Sequence, residues 1–325
     1  MKIDIIQRPI QTDLVQPCFK DVIGQEGVKK YLSFLIESHA PATPFPTLLL
    51  TGSQGLGKTF ISEKIANSLG RKFVEVNSET VSTVKELVED IIVKQVMGER
   101  EVTLLLDEAH ALNKEVTNFL LSLLSPNISM RNTFRHGDID FVFDMRKINV
   151  IFATTDSYRM FAPLLNRCEE VYLYPYSNIE SYCIVRFYSR PVEIWDSIDT
   201  EEIAYVARNR ARNGFKLAQN IKRIASISEH KHMLMPEDWE RLKSVLGLYP
   251  LGLKQNEVNL IKVIRDLQPV SSANLAIRLM VNENNIKEEL ELRPRELGLI
   301  QSTNRGRILT EKGKDYLNNL VMEKA

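Results

Sequence analysis

The sequence lacks the charge imbalance and the cysteine pattern that would point directly to a function. Its 42 basic and 42 acidic side chains leave no formal net charge. Overall basicity therefore does not indicate a nucleic-acid-binding protein, although local basic patches can still bind DNA. The three cysteines, Cys18, Cys168 and Cys183, have neither metal-site nor disulfide-framework spacing. Such sparse cysteine is typical of the reducing cytoplasm.

Long apolar runs are also lacking. No stretch is apolar over the ~20 residues that a membrane-spanning helix needs, and the N-terminus lacks the apolar core of a signal peptide. We therefore expect a soluble, cytoplasmic protein. With 325 residues, of which 44% are hydrophobic and 26% are charged, the chain is expected to form two or three globular domains.

The strongest motif that is present is Gly52-Ser53-Gln54-Gly55-Leu56-Gly57-Lys58-Thr59, which lies between an apolar run and a helical pattern. This is the spacing and context of a P-loop, where backbone N–H groups and a helix N-terminus bind phosphates. Lys58 is expected to reach the β- and γ-phosphates and Thr59 to bind Mg²⁺. The predicted nucleotide-binding residues here are Gly52, Gly55, Gly57, Lys58, Thr59 and Phe60. A nucleoside triphosphate is the expected ligand.

Apolar runs typical of strands alternate with helical patterns around this motif. We predict strands at 48–51, 73–76, 102–106 and 149–153, and helices at 59–69, 81–96 and 115–124. Alternation of this kind predicts an α/β fold with a parallel sheet that helices cover on both faces.

A β-hairpin is predicted at 131–147, between two of these strands. Residues 134–144 alternate in polarity around Gly137-Asp138, which places Ile139, Phe141 and Phe143 on one face. That face is either a docking surface for a partner protein or a surface packed against the core of the domain.

Helical patterns dominate the second half of the chain. Four helices are predicted at 178–189, 200–212, 216–228 and 236–245, and three more at 256–267, 272–279 and 284–297. A ribbon through Ile300 and Ile308 follows, so the last block has the pattern of a winged helix. At the ribbon tip, Arg305-Gly306-Arg307 is either a clamp for DNA phosphates or a solvated turn. The mixed charges of 284–297 favour backbone contact over base reading.

Two carboxylates end a buried strand downstream of the P-loop. Leu104-Leu105-Leu106 leads directly into Asp107 and Glu108. Nucleotide hydrolysis needs one carboxylate that holds Mg²⁺ and a second that polarises the attacking water. We assign these roles to Asp107 and Glu108, respectively. Acids that merely cap a helix start are the alternative, which the preceding P-loop disfavours.

Thr155 and Arg167 are further candidates. Thr155 follows the strand at 149–153, and strand ends of a parallel sheet face the ligand crevice, so its hydroxyl could reach the attacking water or the terminal phosphate. Arg167 follows a short helical turn, where a planar cation could act as an arginine finger. An ordinary strand-end threonine and a surface arginine are the alternatives.

The order of these motifs resembles the clamp-loader and RuvB branch of the AAA+ ATPases. The resemblance is carried by the P-loop, Asp107-Glu108-Ala109-His110, Ala153-Thr154-Thr155, Asn166-Arg167-Cys168 and the upstream segment 19–25. Within this branch, the hairpin and residues 285–310 are similar to the RuvB family of Holliday-junction branch-migration motors. The resemblance extends from about residue 17 to 317.

The resemblance implies a domain organisation and a set of roles. The domains are an N-terminal arm (1–16), an AAA+ domain (17–176), a helical lid (177–247) and a winged helix (250–320). The ligands are ATP and Mg²⁺, with Thr59 and Asp107 on the metal. The implied roles are catalysis for Glu108, sensor 1 for Thr155, a finger acting on a neighbouring subunit for Arg167, an adenine pocket for Val22 and Ile23, and DNA contact for Arg305, Gly306 and Arg307.

One departure from the family pattern concerns the sensor 2 position. Family members carry arginine in a Thr-Pro-Arg context, whereas this chain has Gly214-Phe215-Lys216. Lys216 keeps the positive charge but lacks the bidentate fork of a guanidinium.

The function implied is ATP-driven movement along duplex DNA at branched junctions. The resemblance further implies a ring-like oligomer, a hexamer by analogy, and a RuvA-type junction-binding partner. Two alternatives stay open at this point. One is a clamp-loader-like ATPase of replication, and the other is an ATP-switched DNA-binding adaptor or helicase loader, for which Lys216 is the main support.

Overall fold

The computed structural model describes residues 19–89, 101–127, 129–136 and 139–322. The chain forms two compact units, one made of Met1–Glu180 and Arg210–Arg212, the other of Ser181–Asn209 and Asn213–Ala325. The predicted N-terminal arm lies outside the described residues. In the part of the chain that is described, no helix has both the length and the apolar character of a membrane span.

A five-stranded sheet with the strand order β2-β3-β6-β1-β7 forms the centre of the first unit. All neighbouring strands in it are parallel. Strands β1 and β3 are buried along almost their whole length, as expected for a parallel sheet that is covered on both faces. The strands are β1 (Leu48–Thr51), β2 (Lys72–Asn77), β3 (Val102–Asp107), β6 (Ile148–Thr154) and β7 (Glu169–Tyr172).

Helices pack around this sheet, and α2 and α3 each begin one residue before the predicted position. The helix predicted at 81–96 is seen at 84–89, and its remainder lies outside the described residues. The helices of the first unit are α1 (Glu26–Ser38), α2 (Lys58–Ser68), α3 (Lys114–Leu123) and α4 (Ala162–Leu165).

The predicted hairpin is present as the antiparallel strands β4 (Arg131–His136) and β5 (Ile139–Asp144). Phe143 is only 2% exposed and belongs to the hydrophobic core that also contains Phe119. The prediction that Phe143 contributes to a docking surface is therefore wrong, because its ring is used to pack the hairpin against the domain. The side chains of Ile139 and Phe141 lie outside the described part of the structure.

The second unit begins with a helical layer. Its core includes Leu217, Ile221 and the fully buried indole of Trp239. The elements are α5 (Asn178–Ser189), β8 (Glu193–Ile194), α6 (Thr200–Ala207), α7 (Ala211–Ile227), β9 (Met233–Leu234), α8 (Pro236–Val245), β10 (Leu248–Tyr249) and β11 (Leu253–Lys254).

The helix predicted at 200–212 ends early, at Ala207. Arg208 and Asn209 have φ angles of 56° and 53°, in the left-handed region, and α7 begins two residues later. The Arg208 guanidinium donates to both carboxylate oxygens of Glu257, at 2.8 and 2.7 Å, and Glu257 is 3% exposed. The chain therefore turns here because a buried ion pair with a residue far along the sequence holds Arg208.

The winged helix completes the second unit around its own apolar core, which includes Leu260, Leu275 and Leu299. The helix predicted at 284–297 is composite, because a π-helical turn at Ile286–Leu290 joins two short α-helices. The elements are α9 (Gln255–Leu267), α10 (Ser272–Leu279), α11 (Glu283–Asn285), α12 (Leu292–Glu296), β12 (Ile300–Thr303), β13 (Gly306–Leu309) and α13 (Glu311–Met322).

Gly306, at the tip of the β12–β13 wing, is required by packing. The wing lies against Val270, since the backbones of Arg307 and Val270 exchange hydrogen bonds of 2.8 and 3.1 Å. The φ angle of Gly306 is +135°, and a Cβ atom at this position would be 2.6 Å from the Val270 carbonyl oxygen. The close approach of Val270 is sufficient to explain why residue 306 is glycine, and contact with a DNA phosphate is not needed for that explanation.

We predict that Gly306→Ala destabilises the protein more than Gly298→Ala does. Gly298 also has a positive φ, of +68°, but a Cβ atom at position 298 would meet no atom within 4 Å. Alanine at 298 should lower the free energy of unfolding by about 1–2 kcal/mol because its backbone is left-handed. Alanine at 306 should lower it further because the new Cβ atom also clashes with Val270. Urea denaturation of both full-length variants, followed by circular dichroism, measures the difference. Equal losses would show that contact with Val270 does not constrain the wing.

Candidate functional site

The strand order brings three of the predicted motifs to one edge of the sheet. Strand β6 lies between β3 and β1, so the P-loop after β1, the carboxylates after β3 and the threonines after β6 follow neighbouring strand ends. Ligands of open parallel sheets bind in the crevice beyond these carboxyl ends. The candidate site therefore combines segments that are far apart in the sequence.

The P-loop is held in shape by contacts to the segment after β7. Leu56 is completely buried, and its carbonyl accepts a hydrogen bond of 2.9 Å from the Tyr176 hydroxyl. Gly52 has a φ of +140°, and a Cβ atom there would be 2.6 Å from the Leu173 carbonyl oxygen. The loop is therefore fixed before any ligand binds, as a phosphate-binding backbone requires.

Lys58 is a buried cation whose partners are neutral. Its ammonium donates to the carbonyl oxygens of Gly52, at 2.7 Å, and Ser53, at 3.2 Å, and no carboxylate in the described ranges forms an ion pair with it. Burial lowers the pKa of Lys58, while the charges of Asp107 and Glu108 act in the opposite direction. A phosphate group would provide the counter-charge that this ammonium lacks.

The two predicted carboxylates differ in their surroundings. Asp107 is the last residue of β3, and its Oδ1 accepts a hydrogen bond of 2.9 Å from the Glu108 amide. Glu108 has a left-handed φ of 50°, which is unusual for a residue with a Cβ atom and occurs often at active sites. Its Oε2 atom is buried and has no hydrogen-bond partner among the residues that the structure describes. Glu108 therefore keeps an acceptor free for a water molecule.

His110 and Thr154 connect this glutamate to the neighbouring strand. His110 Nδ1 lies 3.5 Å from Glu108 Oε2 and 2.9 Å from the Thr154 hydroxyl. The Thr154 oxygen also accepts the amide of Asp156 at 3.0 Å. The predicted residue, Thr155, is half-buried and has no hydrogen bond from its side chain to any described residue. Its hydroxyl therefore stays available for a ligand.

The residues expected to hold Mg²⁺ fit that ion in their chemistry. Thr59 lies in the first turn of α2, and its hydroxyl is not hydrogen-bonded within the described ranges. Hydroxyl and carboxylate oxygens are hard ligands, and Mg²⁺ is usually held by one or two of them together with substrate phosphates. In the described part of the chain, no cluster of three acidic, histidine or cysteine side chains could hold a metal alone. Thr59 and Asp107 could therefore complete a site only together with a phosphate.

The predicted adenine-pocket residues lie next to α1 and α2. Val22 is 5% exposed, and its carbonyl accepts a hydrogen bond of 3.0 Å from Lys29; Ile23 is half-buried. Phe60 is half-buried beneath the ammonium of Lys64, which lies 5.0 Å from the ring centroid. That Val22 and Ile23 line an adenine pocket stays a prediction.

Arg167 and Lys216 are both exposed. The Arg167 guanidinium donates to the Leu121 carbonyl and, at 3.0 Å, to the Ser125 hydroxyl, both at the C-terminal end of α3. Lys216 lies on α7 and belongs to the second unit. Each cation could therefore bind an anion that is not part of this chain.

The wing arginines are not equivalent. Arg305 is exposed, but Arg307 forms a bidentate ion pair with Glu291, with N–O distances of 2.9 and 3.0 Å. Glu291 is 1% exposed, so Arg307 neutralises a buried carboxylate. Arg307 is thus paired within the domain and Gly306 packs on Val270, so both have a role inside the winged helix. That Arg305, Gly306 and Arg307 contact DNA phosphates stays a prediction, and of the three only Arg305 has an exposed side chain.

Comparisons with known proteins match both halves of the chain. The AAA family model (ATPase family associated with various cellular activities) matches residues 48–176, and the model of the RuvB C-terminal winged helix domain matches residues 250–318. The motor protein RuvB of Thermotoga maritima has a similar structure, with a TM-score of 0.73 and 26% identity over 91% of this chain and 95% of that chain. The chain is a RuvB-like AAA+ ATPase.

Curated relatives of this RuvB-like chain agree with the structural comparison. It is 26% identical over 303 residues to the Holliday junction branch migration complex subunit RuvB of Ehrlichia canis, with 91% of each chain covered. It is 27% identical over 309 residues to the same subunit of Fervidobacterium nodosum, covering 91% of this chain and 86% of the relative. The likeness therefore includes the ATPase and the winged helix together.

Three residues of this RuvB-like site were not assigned a role from the sequence. His110 follows Glu108 by two residues and Thr154 directly precedes Thr155. Their proximity to these motifs in the sequence could therefore have indicated both residues. Arg212, whose charge acts on Lys58, gives no signal in the sequence, because it lies more than a hundred residues from every P-loop residue.

We predict that Lys58→Ala abolishes the thermal stabilisation of this protein by ATP and Mg²⁺. A ligand at a hundred times its Kd stabilises by about 2.7 kcal/mol, which corresponds to roughly 5–10 °C for a domain of this size. Differential scanning fluorimetry with and without nucleotide measures the shift. Lys114→Ala, which removes an exposed lysine from the start of α3, is the control and should show the same ATP-dependent shift as the wild type. A full shift in Lys58→Ala would exclude the P-loop as the nucleotide site.

Proposed function

We propose that this chain is an ATP-driven DNA translocase that moves the duplex arms of branched DNA, the activity for which its curated relatives are named. The observation that carries the proposal is the presence of an AAA ATPase domain and a RuvB-type winged helix in one chain. A clamp-loader-like ATPase is disfavoured because that winged helix takes the place of a helical oligomerisation collar.

Hydrolysis is proposed to begin with ATP bound along the P-loop. Lys58 binds the β- and γ-phosphates, and its low exposure strengthens this attraction because water screens it little. Glu108, whose Oε2 has His110 Nδ1 at 3.5 Å but no hydrogen-bond partner among the described residues, accepts a proton from the water that attacks the γ-phosphate, and Thr155 orients that water or phosphate. Mg²⁺ held by Thr59 and Asp107 would neutralise phosphate charge. The products are ADP and inorganic phosphate.

His110 is positioned to control where Glu108 points. It links the glutamate to Thr154 at the end of the neighbouring strand. A general base must lie within hydrogen-bond reach of the proton that it removes. The proposed role of His110 is therefore to keep Glu108 directed toward the crevice.

Arg167 is proposed to complete the active site of a neighbouring subunit. An arginine finger must be exposed at the subunit surface and must carry a planar guanidinium that can stabilise charge on the transferred phosphoryl group. Arg167 is exposed, and its only described contacts are at the end of α3. A finger acting between subunits requires a neighbouring subunit, and a ring-like hexamer is the proposed assembly.

Contact with DNA is proposed to be limited to the phosphate backbone. Arg305 at the wing tip is exposed, whereas the helix residues Lys287 and Arg293 are already engaged by Glu283 and Glu296. Contact without base reading suits a translocase, since the enzyme must act on every sequence that it passes. The hairpin is the proposed contact for a RuvA-type partner, through residues other than Phe143.

We predict that the wild-type protein migrates a synthetic four-way junction when ATP is supplied, with or without an added RuvA-type partner. Glu108→Gln should still bind ATP and assemble on DNA, but its ATP turnover should fall roughly 100- to 10,000-fold because the general base is lost. Strand-exchange gels and phosphate release are the measurements.

Two other outcomes would replace this proposal. If the wild type binds DNA in an ATP-dependent manner but never moves the junction, an ATP-switched adaptor or helicase loader is the better assignment, which the lysine at position 216 would then explain. If only a sliding clamp with primed DNA stimulates its ATPase, the protein is a clamp loader.

We further predict that Glu108→Gln and Arg167→Ala subunits complement each other. Each variant alone should lose ATPase activity, Arg167→Ala by roughly a thousandfold or more. In mixed rings, the intact Glu108 of one subunit meets the intact Arg167 of the next, so part of the activity should return. Arg159→Ala, another exposed arginine of the first unit, is the control and should be fully active alone. Absence of recovery in the mixture would rule out a finger that acts between subunits.

A further inference from the structure

A short segment of the second half of the chain belongs to the first unit. Residues Arg210–Arg212 cluster with the sheet domain, although the residues on either side of them belong to the other unit. The backbone N–H of Arg212 donates a hydrogen bond of 3.1 Å to the Gly55 carbonyl. This N–H lies in the first turn of α7, where it has no partner within the helix. The P-loop supplies that partner.

Gly55 permits this contact. A Cβ atom built on Gly55 would lie 3.2 Å from the Cβ atom of Arg212 and 3.6 Å from that of Arg210. Any longer side chain at position 55 would separate the two segments. The side chain of Arg212 therefore begins directly against the middle of the phosphate-binding loop.

The charge of Arg212 has no partner in the described parts of the chain. Its side chain is exposed, and it forms neither a hydrogen bond nor an ion pair with a described residue. Its positive charge also lowers the pKa of Lys58, although burial lowers it more and the charges of Asp107 and Glu108 raise it. The guanidinium and the buried ammonium therefore repel each other, and neither has a carboxylate bound to it among the described residues. Two such cations favour the binding of an anion between them.

We propose that Arg212 binds the phosphate chain of the nucleotide held by the P-loop of the same subunit, beside Lys58. The inference rests on the proposed nucleotide hydrolysis and names a further binding residue for it. Arg212 thereby supplies the planar, bidentate cation that is missing at position 216, one helical turn further along α7.

Arginine suits this position better than lysine. Its guanidinium presents two parallel N–H donors to a phosphate and stays charged beside another cation. Lys216 is a point charge on a flexible stem and cannot make the paired contact. An arginine at 212 therefore accounts for an ATPase that carries lysine at the sensor 2 position.

The test compares Arg212→Ala, Arg212→Lys and Lys216→Ala in the full-length protein, with Arg223→Ala as the control. Arg223 is an exposed arginine further along α7 that contacts Asn220. We expect Arg212→Ala to weaken ATP binding about tenfold or more, the usual effect of losing hydrogen bonds to a charged group. Arg212→Lys should recover part of this loss, and Arg223→Ala should match the wild type. Fluorescent-nucleotide titration gives Kd, and phosphate release gives KM and kcat.

Thermal unfolding without nucleotide separates binding from folding. Because Arg212 is exposed and unpaired, the Tm of Arg212→Ala should equal that of the wild type in the absence of ATP, while the shift caused by ATP becomes smaller. A lowered Tm without nucleotide would instead assign Arg212 a structural role and overturn the proposal.

Other outcomes also overturn it. If Kd and KM for ATP are unchanged in Arg212→Ala, Arg212 does not bind the nucleotide. If that variant also binds duplex DNA more weakly, Arg212 is a DNA contact instead. Junction migration is measured separately: a wild type that hydrolyses ATP without moving junctions contradicts the proposed function and leaves the role of Arg212 intact.

Discussion

Lys58 holds a positive charge at the end of a parallel sheet, where its side chain is 8% exposed and, among the described residues, donates hydrogen bonds to carbonyl oxygens alone. Placing a charge where water cannot reach it costs free energy unless an opposite charge compensates. The carboxylates of Asp107 and Glu108 compensate at a distance, and Arg212 makes the balance worse. The site is therefore short of negative charge. A triphosphate corrects this, so the charge balance favours the same ligand that the P-loop geometry accommodates.

The sequence alone was sufficient for features that depend on short segments. The P-loop, the carboxylate pair after β3, the hairpin and the positions of the predicted strands all follow from local patterns, because apolar alternation and glycine spacing act within a few residues. Contacts between distant residues gave no such signal. Phe143 alternates correctly for an exposed face and is nevertheless buried, Arg307 stands in a basic turn yet pairs with Glu291, and Arg208 breaks a helix to reach Glu257.

Two arginines, Arg208 and Arg293, make long-range contacts that join the helical layer of the second unit to its winged helix. Arg208 bonds to Glu257 and to the Gly252 carbonyl, and Arg293, which is 6% exposed, donates to the Tyr205 carbonyl at 3.0 Å. Buried ion pairs add little net stability because both charges lose water, but breaking one is costly. Such pairs therefore define a single arrangement of the two parts. Because the helical layer and the winged helix are joined in this way, a displacement of one would be transmitted to the other.

The distribution of charge also explains how a chain with no net charge can be proposed to bind DNA and a nucleotide, which are both anionic. The field that a ligand meets is set by nearby charges, since those more than about 10 Å away are screened by salt. In this protein, Glu291 and Glu257 neutralise Arg307 and Arg208 inside the fold, so part of the positive charge counted in the sequence is already compensated. Lys58 and Arg212 have no carboxylate partner among the described residues. The proposed ligand-binding cations are therefore ones that the described fold leaves without a counter-charge, and a count of charges in the sequence could not have identified them.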